Sequence, residues 1–140
     1  ISAVTITGQS AMNGPIGSLI EVFGCFPNDT KIQLQNGKYK EMSKLCLGDE
    51  LISGGSVHAI LKVRGYENNP YYKIYSDELK QFIYVTGGHL IKDKVSGEFI
   101  PVEKHKETIK TERWDKEMCC LVTTNNLIPI GEHIFWDWED

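Results

Sequence analysis

Six short runs alternate apolar and polar side chains with a period of two, which suits a pleated strand and excludes an amphipathic helix. They are Val4-Thr5-Ile6-Thr7, Lys31 to Gln35, His58 to Val63, Tyr71 to Tyr75, Gln81 to Val85 and Cys120 to Thr123. Between them stand Asn36-Gly37, Gly54-Gly55, Asn68-Asn69-Pro70, Ser76-Asp77, Ser96-Gly97 and Asn125-Asn126. Each of these either tolerates left-handed backbone or closes a turn through its own side chain. The expected architecture is therefore all-β. Lys40 to Leu47 is the exception, a single short helical turn leading into the Gly48-Asp49 bend. At 140 residues and 15.9 kDa the chain fits one domain, large enough to bury a core without staples.

Charge and cysteine spacing narrow the function classes. A net charge of −4 gives no electrostatic footing for nucleic acid. No apolar stretch approaches the roughly 18 residues that a membrane span needs. Ile1 to Gly24 lacks a positive amino-terminal region and carries glycines through its middle, unlike a signal peptide. Cys25, Cys46, Cys119 and Cys120 form no C-x-x-C pair, which speaks against a structural zinc site, and no cofactor is expected. That spacing suggests reduced thiols and an intracellular, cytoplasmic setting; a monomer is expected. Cys119 and Cys120, adjacent on a strand, should point to opposite faces, one of them into the core.

The chemistry centres on Phe23-Gly24-Cys25-Phe26-Pro27 and, some sixty residues later, on Thr86-Gly87-Gly88-His89. A thiol directly after a glycine can attack the carbonyl of its own preceding peptide bond. The attack closes a five-membered ring, so no diffusional encounter is needed. Gly24 leaves that carbonyl unshielded and admits backbone conformations closed to other residues. The product is a thioester, which lies uphill of an amide, so a partner must protonate the departing nitrogen.

The run from Cys25 to Ser53, CFPNDTKIQLQNGKYKEMSKLCLGDELIS, resembles the opening block of the Hint superfamily: inteins, bacterial intein-like domains and the autoprocessing part of hedgehog proteins. Tyr84 to Ile91 is similar to the superfamily's T-x-x-H block. The resemblance implies a Hint-type horseshoe of short strands with pseudo-two-fold halves. It implies that His89 protonates the nitrogen of Cys25 and that Thr86 fixes the geometry of the same peptide. It also divides the chain into an upstream flank, 1–24, and a self-processing domain, 25–140. A second possibility for 1–24 is a first β-hairpin of the same domain. The charged run Glu103 to Lys116 is expected as a solvated loop. It stands where inteins often carry a homing endonuclease, and fourteen residues cannot fold into one.

Cys119 to Asp140 admits two alignments. Against the intein terminal block, His133-Ile134-Phe135-Trp136 matches an H-x-F-F portion and makes His133 a second histidine for carboxy-terminal cleavage. Against the hedgehog block, Asp137 falls where that family carries a cysteine beside the nucleophile. A plainer possibility is a cap in which Phe135, Trp136 and Trp138 close the core. Elsewhere, His58 and His105 are expected at the surface and Cys46 in the core. Splicing would require a terminal His-Asn followed by Cys, Ser or Thr, whereas this sequence ends Trp138-Glu139-Asp140. Transfer to a sterol lacks support, since Lys62 to Gly65 contains no acid.

The expected function is autocatalytic cleavage at Gly24-Cys25 by an N–S acyl shift. The partners are the chain's own flank in cis and an acceptor, either water, a thiol or a downstream nucleophile. An inactive Hint scaffold acting as a binding module is the alternative. A cysteine hydrolase acting in trans lacks a nucleophile-bearing helix signature.

Overall fold

The computed structural model of the chain describes residues 4–6 and 24–137. Most of the flank and Trp138 thus lie outside the described residues. In chain order the strands are β1 (Val4–Ile6), β2 (Phe26–Pro27), β3 (Lys31–Gln33), β4 (Tyr39–Glu41), β5 (Val57–Arg64), β6 (Tyr71–Ser76) and β7 (Gln81–Thr86). They continue with β8 (Leu90–Lys92), β9 (Phe99–Pro101), β10 (Ile109–Lys110), β11 (Glu117–Thr123), β12 (Leu127–Ile130) and β13 (His133–Trp136). Among the described residues, helix is limited to two 3-10 turns, Met42–Lys44 and Val102–Lys104. The first falls inside the predicted helical turn. No helix among them is long and apolar enough to cross a membrane.

The described strands form four small sheets, and the one that borders Cys25 is ordered β1-β5-β11-β2. At its centre β5 and β11 run antiparallel, from Glu117 opposite Arg64 to Thr123 opposite Val57, with a bulge between Val122 and Thr123. β2 joins the free edge of β11, pairing Phe26 with Cys119 and Pro27 with Met118. β1 lies parallel on β5, Val4 opposite Leu61. A second sheet, β10-β6-β7, pairs Tyr71 with Thr86, and a third, β12-β13-β8-β9, sets Phe135 beside Ile91. The β3-β4 hairpin turns at Asn36-Gly37, where Gly37 takes φ +90°.

β11 is buried on both faces, and its parity sorts two cores. Cys119 and Leu121 face the main one with Phe26, Ile60, Val85 and Phe135. Met118, Cys120 and Val122 face a smaller one with Cys25, Leu61, Val63 and Tyr71. The two adjacent cysteines therefore do point apart, as their strand position predicts, and both are buried.

Three expectations need correction. Cys46 is exposed, because it lies in the turn after Leu45, where its N–H donates to the Asp49 carboxylate. His105 is buried: the turn after Val102 folds its ring inward, and its Nδ1 accepts the Glu107 N–H. The charged run 103–116 is mostly solvated but contributes β10, and beyond that strand it returns to the fold. There Arg113 lies over the Tyr84 ring, 4.6 Å away, and Asp115 accepts the Tyr71 hydroxyl.

Candidate active site

Cys25 immediately precedes β2, and its backbone is held from both sides by the end of β7. Its N–H donates to Thr86 Oγ1 at 2.8 Å, and its carbonyl accepts the Thr86 N–H at 3.0 Å. Thr86 can do both because it is the last residue of its strand: its N–H faces outward from the β6 pairing, while its side chain turns toward β2. The peptide nitrogen between Gly24 and Cys25 is thus fixed through a hydroxyl.

After Thr86 the chain reverses through Gly87-Gly88, with the His89 N–H donating back to the Thr86 carbonyl. A Cβ on Gly87 would meet the Tyr72 ring at 2.8 Å. Close packing, and not left-handed backbone, is what requires glycine there. The turn delivers His89 into the main core, where it is all but inaccessible. The edges of Phe26 and Phe135 lie against its ring, with centroids 4.6 Å and 5.6 Å away.

The two ring nitrogens of His89 have different surroundings. Nε2 is hydrogen-bonded to the Trp136 carbonyl, and since a carbonyl only accepts, Nε2 carries the proton. Nδ1 is buried without a hydrogen-bond partner among the described residues and presents a bare lone pair. The same side of the ring packs on Gly24, so closely that a Cβ there would overlap Cγ and Nδ1. Gly24 itself holds φ +62°, in the left-handed region that favours glycine. Burial lowers the His89 pKa to about 4, a shift the Trp136 carbonyl only partly offsets. The imidazole is therefore neutral near pH 7, a base and not yet an acid.

Across the sheet from Cys25 is Cys120. The register that pairs Cys119 with Phe26 sets Cys120 opposite Cys25, with Cα atoms 4.7 Å apart, and the two sulfurs are joined in a disulfide across 95 residues of sequence. The expectation of reduced thiols is met by Cys46 and Cys119 but not by this pair. Cys119, on the opposite face, donates to Asn28 Oδ1, and burial pushes its thiol pKa up to about 11.

His133 and Asp137 each hold a separate buried tie. His133 Nε2 meets the Tyr75 carbonyl at 2.9 Å, four residues along β6 from Tyr71, the partner of Thr86, hence about 13 Å away at strand spacing. Asp137 directly follows Trp136, whose carbonyl meets His89, and its carboxylate accepts the Thr123 N–H at 3.0 Å and the Asn126 side-chain amide. Across the sheet from Cys25 stands Cys120. From the terminal block it is the Trp136 main chain that reaches the site, through His89, while Phe135 fills the core. Sequence reading missed both Cys120 and that carbonyl. Strand parity across Cys119-Cys120 was the available signal for the first. A main-chain acceptor leaves no signal in side-chain identities.

Among the described residues no three His, Cys, Asp or Glu side chains gather as metal ligands. No protein-family model matches the sequence, and no curated protein sequence does. Solved structures do. The chain is similar to the gp41-1 intein, at 18% identity over 81% of this chain and 98% of that one, with a TM-score of 0.57. It is similar to the Ssp DnaB mini-intein variant M86, at 11% identity, 81% and 93% coverage and a TM-score of 0.59. A DnaB intein from Synechocystis sp. PCC 6803 matches at 11% identity, 81% and 98% coverage and a TM-score of 0.61. Small sheets of short strands, nearly free of helix and superposing on inteins over most of their length, give this chain the Hint-type intein fold.

Proposed function

We propose that the chain cleaves itself at Gly24-Cys25 by an N–S acyl shift. In the reduced chain the Cys25 thiol gives its proton to the bare Nδ1 of His89, and its sulfur attacks the Gly24 carbonyl carbon. The tetrahedral intermediate collapses as Nδ1–H passes that proton to the Cys25 nitrogen. The C–N bond breaks, and residues 1–24 are left as a thioester on Cys25. Thr86 Oγ1 holds the nitrogen throughout, first as an amide and then as an amine. Water, a thiol or a downstream nucleophile then takes the acyl group. A His-Asn pair and a following Cys, Ser or Thr would extend cleavage to splicing.

The observation that carries this proposal is the unpartnered Nδ1 of His89 packed on Gly24, while Thr86 fixes the nitrogen of the same peptide bond. No cofactor enters the step, because the proton that leaves the Cys25 thiol returns to the nitrogen of the same residue. The test is the intact mass of the full chain after incubation with reductant and excess thiol. Loss of residues 1–24 in the wild type and none in Cys25→Ala is expected. A reduced wild-type chain that stays whole, or a Cys25→Ala chain cut after Gly24, would refute the proposal.

A catalytically silent Hint scaffold that serves as a binding module is the second reading. Its support is that Cys25 is tied up in a disulfide. The two readings part on reduction, since a silent scaffold stays whole with its thiols free.

A further inference from the structure

The cross-strand position of Cys120 carries a consequence for when the chain can react. A disulfide sulfur has no lone thiolate to offer a carbonyl, so Cys25 cannot attack Gly24 while it is bonded to Cys120. No other cysteine competes for Cys25. Cys119 is on the opposite face of β11, held by Asn28, and Cys46 is exposed in a turn away from this cluster. The Cα separation of 4.7 Å lies within the range a disulfide spans, so the backbone register alone presents the two side chains for oxidation and for re-oxidation. Both residues are fully buried, which slows any reductant and keeps the pair closed between openings of the fold.

We propose that Cys120 is a covalent latch on the nucleophile, and that a dithiol reductant is the co-reactant that starts self-cleavage. This rests on the acyl-shift reading above. One thiolate of the reductant attacks Cys120 Sγ, the Sγ–Sγ bond breaks, and Cys25 leaves as a thiolate. The reductant's second thiol then attacks its own sulfur in the mixed disulfide and frees Cys120. The reductant ends as an internal disulfide, having given two electrons and two protons to the protein. Attack on the Cys120 sulfur frees Cys25 as a thiolate, which takes up the second proton and becomes the thiol from which the acyl shift starts. Reduction therefore unmasks the nucleophile.

Two measurements on the full chain, purified without reductant, test this. The first counts alkylated cysteines after denaturation: two labels are expected before reduction, on Cys46 and Cys119, and four after. Four labels without reduction would overturn the latch whatever happens to cleavage. The second traps the thioester with hydroxylamine, a nucleophile that does not reduce disulfides, with and without a phosphine reductant. The oxidised wild type should lose scission, and the phosphine should restore it. Cys120→Ala and Cys120→Ser should cleave with hydroxylamine alone, while Cys46→Ala should keep the wild-type dependence. Equal cleavage of the wild type with and without phosphine removes the latch and leaves the acyl shift standing. A reduced wild type and a folded Cys120→Ala chain that both stay whole remove the acyl shift itself, and with it the function of the latch.

Discussion

His89 packs against Gly24, and the two residues determine each other: the His89 side chain occupies the volume where any side chain on residue 24 would begin. Gly24 also holds φ +62°, which costs a residue with a Cβ about 1–2 kcal/mol. Gly24→Ala should therefore push the ring off the scissile peptide, with urea unfolding showing a loss of at least about 1 kcal/mol and thiol-induced scission reduced at least tenfold. Wild-type scission in the alanine variant would mean that His89 need not be where it stands.

In the proposed acyl shift His89 carries a proton to the Cys25 nitrogen, whose N–H Thr86 Oγ1 accepts at 2.8 Å. Removing a positioned acid or base typically slows a reaction by roughly 10²–10⁴-fold. We expect that loss in His89→Ala, measured by hydroxylamine trapping of the reduced chain. Thr86→Ala removes one hydrogen bond to the Cys25 N–H and should slow trapping less, since the Thr86 main chain still binds the Cys25 carbonyl. A larger effect from Thr86 than from His89 would reverse their roles.

Much of this was legible because period-two alternation survives in single strands: β5, β6, β7 and β11 fall where the apolar residues alternate. β4, β8 and β9 span three residues each and β10 two, too short for a period to register, and tertiary pairing alone holds them in place. The motif singled out Thr86 and His89, which the fold sets against the Cys25 N–H and Gly24. Cys120 was not assigned to the site, because its meeting with Cys25 depends on the β2-β11 register, which joins segments 95 residues apart. His105 and Cys46 went wrong for one reason: the exposure of a turn residue follows from its local hydrogen bonds and not from the hydropathy of its neighbours.

The terminal block divides structural from chemical duties. Asp137 ties β11 to the turn before β12 through Thr123 and Asn126, and His133 ties β13 to β6 through the Tyr75 carbonyl. Asp137→Asn turns an amide toward the Asn126 amide and should cost about 1–3 kcal/mol, as losing a partner for a buried polar group does. His133→Ala should cost a similar amount. In both, thioester trapping per folded molecule should stay within a few-fold of wild type. A hundredfold loss in folded Asp137→Asn would restore the hedgehog-like alignment, and the same loss in His133→Ala would give that residue a part in the first step.

Burial of His89 predicts how stability responds to acid. Its pKa falls from about 6.5 in the unfolded chain to about 4 in the fold, so between those values the unfolded state binds the extra proton. The contribution is fully present above pH 6.5 and is lost as pH falls toward 4. From pH 7 to pH 5 it amounts to about 2 kcal/mol. The carboxylates with lowered pKa, Asp49, Asp93 and Glu132, act at lower pH: protonation of the unfolded chain at these groups begins near the ordinary carboxylate range, so their contributions fade mainly below pH 5. Urea unfolding of the Cys25→Ala chain, in which scission cannot intervene, should show the decline between pH 7 and 5. Adding His89→Gln should flatten it, because the substituted residue no longer titrates. An equal slope in both chains would mean that His89 is protonated in the fold at pH 5, and the neutral base assigned to the acyl shift would lose its physical ground.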